Sequence, residues 1–311
     1  LAAGASITVT PSFSIGEDAT TSGGKNVSLG VAVNVTVTKH TNVARIASGT
    51  IRVKGLSVSA ISGSEDSPVT SEAVSRAGYS DGNIGVGGAV TVHVASVTTD
   101  ARIGSDALLV LEGGESSLTV KAESYEAIST VADAANDDGN SGSSTGVGAG
   151  IAVGVTGVDT KAVVEDGTYI VSGDAYDAAA ANAAAAGITI PDALGKLDMT
   201  NLPIRLADIT VSAVHILNEN VEARAGSAGG VSVTPVLALS VSGAATEARL
   251  GTSPNKTARL ELDGDLNVWA EASEERTTTA DASAAGSSVG VGGAFALTVV
   301  NDTASARLRR S

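Results

Sequence analysis

The sequence contains no cysteine. That excludes disulfide stapling, thiol catalysis and cysteine-ligated metal centres. Aromatic residues are scarce, with Phe 2, Tyr 4 and Trp 1 in 311 residues. A thick globular core takes much of its bulk from such rings, so a thin core is expected. Proline is limited to 6 residues. Positive charge is in deficit: Lys+Arg 19 against Asp+Glu 34 leaves a formal net charge of −15. A chain without a basic stripe is a poor nucleic-acid binder, so no nucleic-acid partner is expected. No apolar run reaches the roughly 18 residues that a spanning helix needs, and no membrane span is expected.

What the chain does contain is aliphatic and small. Hydrophobic residues make up 43%, almost all of them Ala, Val, Leu and Ile, and Gly reaches 37 without a collagen-like period. The stretch "NIGVGGAVTVHVASVTTDARIG" at 83–104 typifies it: glycines, then alternating valines, then Ala-Arg-Ile. Near copies recur. Aligned on the alanine of that last motif, the anchors are Ala44, Ala101, Ala162, Ala248 and Ala306, spaced by 57, 61, 86 and 58 residues. A fixed period of this size is the signature of a repeat architecture.

Ahead of each anchor the columns align as Val33, Val90, Ile151, Leu237 and Phe295, then Val35, Val92, Val153, Leu239 and Leu297, then Val37, Val94, Val155, Val241 and Val299. A step of two is the period of a strand with one buried face, and these columns are expected to be that face. The column Thr36, His93, Gly154, Ser240 and Thr298 is expected on the other, solvated face. A second strand follows each anchor with the pattern aliphatic-x-aliphatic-x-Ala: "LSVSA" 56–60, "LTVKA" 118–122, "ITVSA" 209–213 and "LNVWA" 266–270. The opening "ITVTP" at 7–11 reads as another copy, which sets Pro11 level with Ala60 and brings the two ends of the chain into phase with each other. The expected fold is all-β, a β-solenoid resembling a parallel β-helix, with about five repeats of ~58 residues in one domain over 1–311. A stack of long hairpins without winding is the alternative.

The 86-residue spacing contains an insertion at 172–208. Within it, "DAYDAAAANAAAAG" predicts a helix over about 175–186, with Asp174 as N-cap and Gly187 past its end, followed by a loop. The later columns keep their register, so the insertion is expected to sit outside the core.

Candidate chemistry is thin. His40, His93 and His215 fall at non-equivalent positions and read as solvated. The Gly-rich stretches open strands rather than helices, unlike phosphate-binding loops. Acidic pairs (Glu65 and Asp66, Asp137 and Asp138, Glu274 and Glu275) read as turns with a weak potential for calcium. No catalytic, cofactor-binding or metal-ligating set stands out, and no enzyme is expected. Arg45, Arg102, Arg249 and Arg307 follow four of the five anchors, with Val163 in the third; they read as a solvated ladder paired with Asp100, Glu247 or turn carboxylates, or alternatively as an inter-coil or inter-subunit contact. Asn-x-Ser/Thr sequons at Asn26, Asn34, Asn255 and Asn301 offer glycosylation sites if the chain is secreted.

The run "GVGGAVTV…DARIG" followed by "LTVKAES" resembles the repeat arrays of very large bacterial filamentous adhesins, including the leukotoxin-like filamentous adhesins. The likeness covers nearly the whole chain except 172–208. It implies secretion, cell-surface display and a fibrous, non-catalytic role. The expected function is therefore a structural segment of an extracellular filament or adhesin that extends head to tail on itself, with a host or matrix surface as a further partner; the alternative is a glycan- or ligand-binding module on a surface stalk.

Overall fold

The computed structural model describes residues 7–9, 13–22, 27–80, 83–112, 116–134, 144–194, 196, 204–206, 208–251, 260–262 and 264–308. They form β1 (Ile7–Val9), β2 (Phe13–Ser22), β3 (Val27–Val53), β4 (Leu56–Ser62), β5 (Val69–Ser80), β6 (Ile84–Leu111), β7 (Leu118–Ala134), β8 (Thr145–Val164) and β9 (Tyr169–Ser172). Then come α1 (Gly173–Ala186), α2 (Ile190–Leu194), β10 (Ile204–Leu206), β11 (Ile209–Leu250), β12 (Leu260–Leu262) and β13 (Leu266–Leu308). The described residues are all-β apart from the two short helices, and their parallel sheet is solenoid-like, curving into a nearly closed barrel-like shape.

The sheet has two walls. The first wall stacks β1 and β2, then β4 and β5, then β7, then the N-terminal half of β11, then that of β13. The second wall stacks β3, β6, β8 and the C-terminal halves of β11 and β13. All these pairs are parallel and run in chain order. Strands β11 and β13 pass through both walls, with a register shift between Gly229 and Val231 where the chain crosses.

The register follows the repeat period. Val33 pairs with Val90, Val90 with Ile151, Ile151 with Leu237 and Leu237 with Phe295. In the first wall Ala60, Ala122, Ala213 and Ala270 stand level. The opening copy departs from expectation. Ile7 rather than Pro11 lies opposite Ala60, and Pro11 falls outside the described residues. The phase match drawn from Pro11 is therefore withdrawn.

The main correction concerns which face is inside. The valine columns point outward: Val33 is 58% exposed, Val35 66% and Phe295 58%. The column read as solvated points inward, with Thr36, His93 and Ser240 buried. The reason is the spacing of the walls. A Cβ on Gly148 would lie 2.5 Å from the backbone oxygen of Gly226, and one on Gly150 would lie 2.5 Å from that of Arg224. Small residues suit such a gap, and Ala32, Ala89, Ala152 and Ala238 meet Ala132, Ala134, Ala223 and Ala225 there, together with Val221 and Val236. At the other end the gap widens. Leu118, Val120, Ile209 and Val211 of the first wall pack on Ile103, Leu109 and Leu111 of the second.

The insertion helps to close the wide end. Helix α1 starts earlier than expected: Ser172 is the N-cap and its hydroxyl accepts from the Ala175 N–H at 3.3 Å, which leaves Asp174 in the first turn. Gly187 ends the helix with φ of 66°, a left-handed cap position that glycine adopts at no steric cost. Ala175, Ala179 and Ala183 form one buried stripe, and with Leu194 of α2 they join the large aliphatic cluster. The insertion is thus packed into the core rather than outside it. On its exposed flank Arg52 holds Asp177 through two contacts of 2.8 and 3.1 Å and also pairs with Glu112.

Candidate functional site: ladders, buried charges and an open edge

The arginines form a ladder across the end of the second wall. Arg45 pairs in register with Arg102, and Arg249 with Arg307, while Val163 stands between Arg102 and Arg249. Val163 is buried, and the place an arginine would take is bridged by Glu165. That carboxylate accepts from Arg102 on one side and from Arg249 on the other, the latter at 2.8 Å. Each of these arginines also meets the acid two residues before it, Arg102 to Asp100 at 3.1 Å and Arg249 to Glu247 at 3.7 Å. Glu165 thus bridges two like charges that stand two strands, about 9.6 Å, apart.

Between the walls lies a polar middle layer. His93, expected in solvent, is buried: its Nε2 lies 2.9 Å from the Ser71 hydroxyl and 3.2 Å from that of Thr38, and its Nδ1 lies 3.3 Å from the Ser129 carbonyl. Burial pushes its pKa below the usual value, against the pull of that carbonyl, so the ring is neutral. Hydrogen bonds also cross the gap from Thr91 to the Val131 carbonyl at 2.6 Å and from Asn34 to the Val74 carbonyl at 2.9 Å.

Nearer β13 the layer becomes ionic. Arg276 reaches Asp302 at 2.9 and 3.0 Å, Glu219 at 3.5 Å and the Ser242 hydroxyl at 3.0 Å, and it also pairs with Glu274. Burial, then a hydrogen bond shared with Asp302, pushes the Glu274 carboxyl up to about 7. Asp302 feels the same burial, but its bonds to Glu274 and Arg276 outweigh it and hold its pKa low. His215 is fully buried 3.7 Å from Glu274. Burial, with Arg276 nearby, holds it down to about 4. One cation thus stands against three carboxyls, of which Glu274 and Asp302 are hydrogen-bonded to each other. The sequence reading missed this cluster, although extending the inward alternation Ile209, Val211, Ala213 by further steps of two places His215 and Glu219 inside.

The remaining expectations divide. Glu274 and Glu275 lie within β13, not in a turn, and Asp137 and Asp138 lie outside the described residues. Among the described residues, no three carboxylate or histidine side chains gather as a metal site. Asn34 is buried with its amide bonded inward, which removes it as a glycosylation site; Asn301 is exposed; Asn26 and Asn255 lie outside the described residues.

Among the described residues three surfaces stand open. One is the outward ladder of the second wall. The others are the outer edge of β3, which pairs only with β6, and the far edge of β13. Within the described sheet β13 pairs only with β11. Every residue from Ser287 to Ala304 is exposed, on the inward face as well as the outward one. Comparison with known protein families, curated proteins and solved structures found no match.

Proposed function

We propose that the chain is a structural segment of an extracellular or cell-surface filament or adhesin, a β-solenoid of about five coils that lengthens by adding coils to its open edge. The observation that carries this reading is β13. A 43-residue strand offers backbone donors and acceptors on one side, in a register that the preceding coils already repeat. An open edge of that length templates further pairing. A contact of this head-to-tail kind does not close on itself, so it grows a fibre. The likeness of the repeats to filamentous adhesins points the same way, as does the acidic, cysteine-free composition, which suits a chain that must stay soluble outside its contact sites.

The test is to concentrate the purified chain and follow it by negative-stain microscopy and fibre diffraction. Rods that lengthen with concentration and give a reflection near 4.8 Å support the reading. The paired substitution Val300→Glu and Ala304→Glu puts acids on the inward side of β13, where both residues are now exposed. It should stop the growth while leaving the fold intact. Particles of one fixed length at every concentration would overturn the reading.

A further inference from the structure

The outer face of the second wall is an apolar surface without a charge. Its outward columns run from Val27 to Val37 on β3, Ile84 to Val94 on β6, Thr145 to Val155 on β8, Val231 to Val241 on β11 and Val289 to Val299 on β13. Not one of these outward positions carries Lys, Arg, Asp or Glu, whereas the first wall's outward positions include Lys121, Glu123, Asp133, Glu222 and Arg224. Five strands about 4.8 Å apart and eleven residues at about 3.3 Å each give a face of about 24 by 36 Å, or roughly 850 Å². A standard stable protein interface covers about 800 Å² on each partner.

The face also has relief. The column Val90, Ile151, Leu237 and Phe295 makes a ridge. Beside it, two residues back along each strand, Gly88, Ala149, Pro235 and Gly293 make a trough. On β8, β11 and β13 ridge and trough border one groove of about 300 Å³. A line drawn between the two columns bisects the apolar face, since it leaves three apolar columns on either side.

We propose that this face binds the same face of a second copy of the chain about a two-fold axis along that line. Rotation about it lays the strands of the two copies antiparallel, strand over like strand, and exchanges the two columns. Phe295 of each copy then sits over the other copy's Gly293, Leu237 over Pro235 and Ile151 over Ala149, so each ridge fills the opposing trough. The full apolar face of both copies is covered, and the contact is isologous, the commonest closed symmetry. Sheets that pack face to face in this way cross at about 30°. A lipid surface is a poorer occupant: interfacial sites use aromatic belts and basic residues, and this face has a single aromatic and no basic side chain. This lateral pairing is separate from growth at the β13 edge and does not depend on it.

The experiment is sedimentation velocity on the full chain carrying Val300→Glu and Ala304→Glu, so that growth at the edge is suppressed. A dimer is expected at micromolar concentration. Adding Leu237→Lys and Leu239→Lys, outward positions on a central strand, should weaken it by at least about 100-fold with an unchanged circular dichroism spectrum. The geometry is read by cross-linking, which the absence of native cysteine makes clean. A Cβ at Gly293 meets no atom within 4 Å, so Gly293→Cys fits. Mixing Gly293→Cys chains with Phe295→Cys chains should give a disulfide heterodimer far faster than either chain alone gives a homodimer. A monomer at 100 μM, a dimer indifferent to the lysines, equal cross-linking in all mixtures, or flotation of a monomer with phosphatidylcholine–phosphatidylglycerol vesicles would each overturn the proposal.

Discussion

The two walls are built from the same alternation and use it in opposite senses. In the first, Leu118, Val120, Ile209 and Val211 face inward, while Lys121, Glu123, Asp133, Glu222 and Arg224 face out. In the second, Thr36, Thr91, His93 and Ser240 face inward while valines and leucines face out. The difference comes from what stands opposite. Inward residues at the start of the first wall look into the wide end, where aliphatic side chains and the α1 stripe fill the space. Inward residues of the second wall's valine-rich half look into the narrow end, where opposing backbone leaves no room for a side chain at Gly146, Gly148 and Gly150, and into a polar middle layer. Hydrophobic residues are not driven inside where there is no room for them; they gather on the surface instead, and a contiguous apolar surface of this size marks an interaction site.

The largest effects should separate the wide end from the outward face. Leu111→Ala or Ile209→Ala removes a fully buried side chain and should cost about 2–5 kcal/mol in chemical denaturation. Val35→Ala, on the outward face of the edge strand β3, should change stability by no more than about 0.5 kcal/mol in the monomer. Equal costs at the two kinds of site would break the comparison.

The narrow end gives the next effect. Gly148→Ala and Gly150→Ala each drive a methyl group toward backbone 2.5 Å away and should cost about 1–3 kcal/mol, as overpacking does. Gly293→Ala, facing open space, should be neutral to within about 0.5 kcal/mol in thermal melts of the dilute monomer.

The ionic layer predicts an opposed pH dependence. The raised Glu274 keeps its proton in the folded chain up to about 7, whereas the unfolded chain loses it near the ordinary value. Its contribution is present at acid pH and is lost as pH rises through that window. His215, held down to about 4, is protonated more readily when unfolded, so its contribution is lost as pH falls from about 6.5 toward 4. Melts of the native chain across pH 4–8 should therefore change little through these two groups. Glu274→Gln removes the first limb and should leave stability that rises from pH 4 to 6.5. A Glu274→Gln profile parallel to the native one would show that the carboxyl does not hold its proton.

The smallest effect is at the ladder. Glu165→Gln removes the carboxylate between Arg102 and Arg249 and leaves them with their partly exposed acids Asp100, Glu247 and Asp166. About 1 kcal/mol is expected, diminishing in high salt.

Register was legible in the sequence because the repeat writes it several times over: every pairing from Val33 to Phe295 follows from aligned anchors. The side on which each column falls was not. A period of two fixes that residues alternate but not which set is inside, and the usual preference for buried valine assumes a gap wide enough to hold it. The glycines of "GVGAG" carried the missing information, since Gly146, Gly148 and Gly150 all point into the gap; their inward parity identifies the buried column on that strand. The N-cap was misplaced by two residues because Ser172 and Asp174 are both good caps. The ionic cluster escaped because, although Glu219 and Arg276 stand level on neighbouring strands of the first wall, Asp302 joins them only across the gap.

The central claim is the inversion of the second wall, and it can be tested on two adjacent residues. Val35 is 66% exposed and Thr36 is 1% exposed. With no native cysteine to interfere, Val35→Cys and Thr36→Cys can each be labelled with a maleimide in the folded protein, diluted to where it is monomeric. The account predicts that the cysteine at 35 reacts at the rate of a free thiol, while the one at 36 is protected until the chain is unfolded. Rapid labelling at 36 with protection at 35 would contradict it.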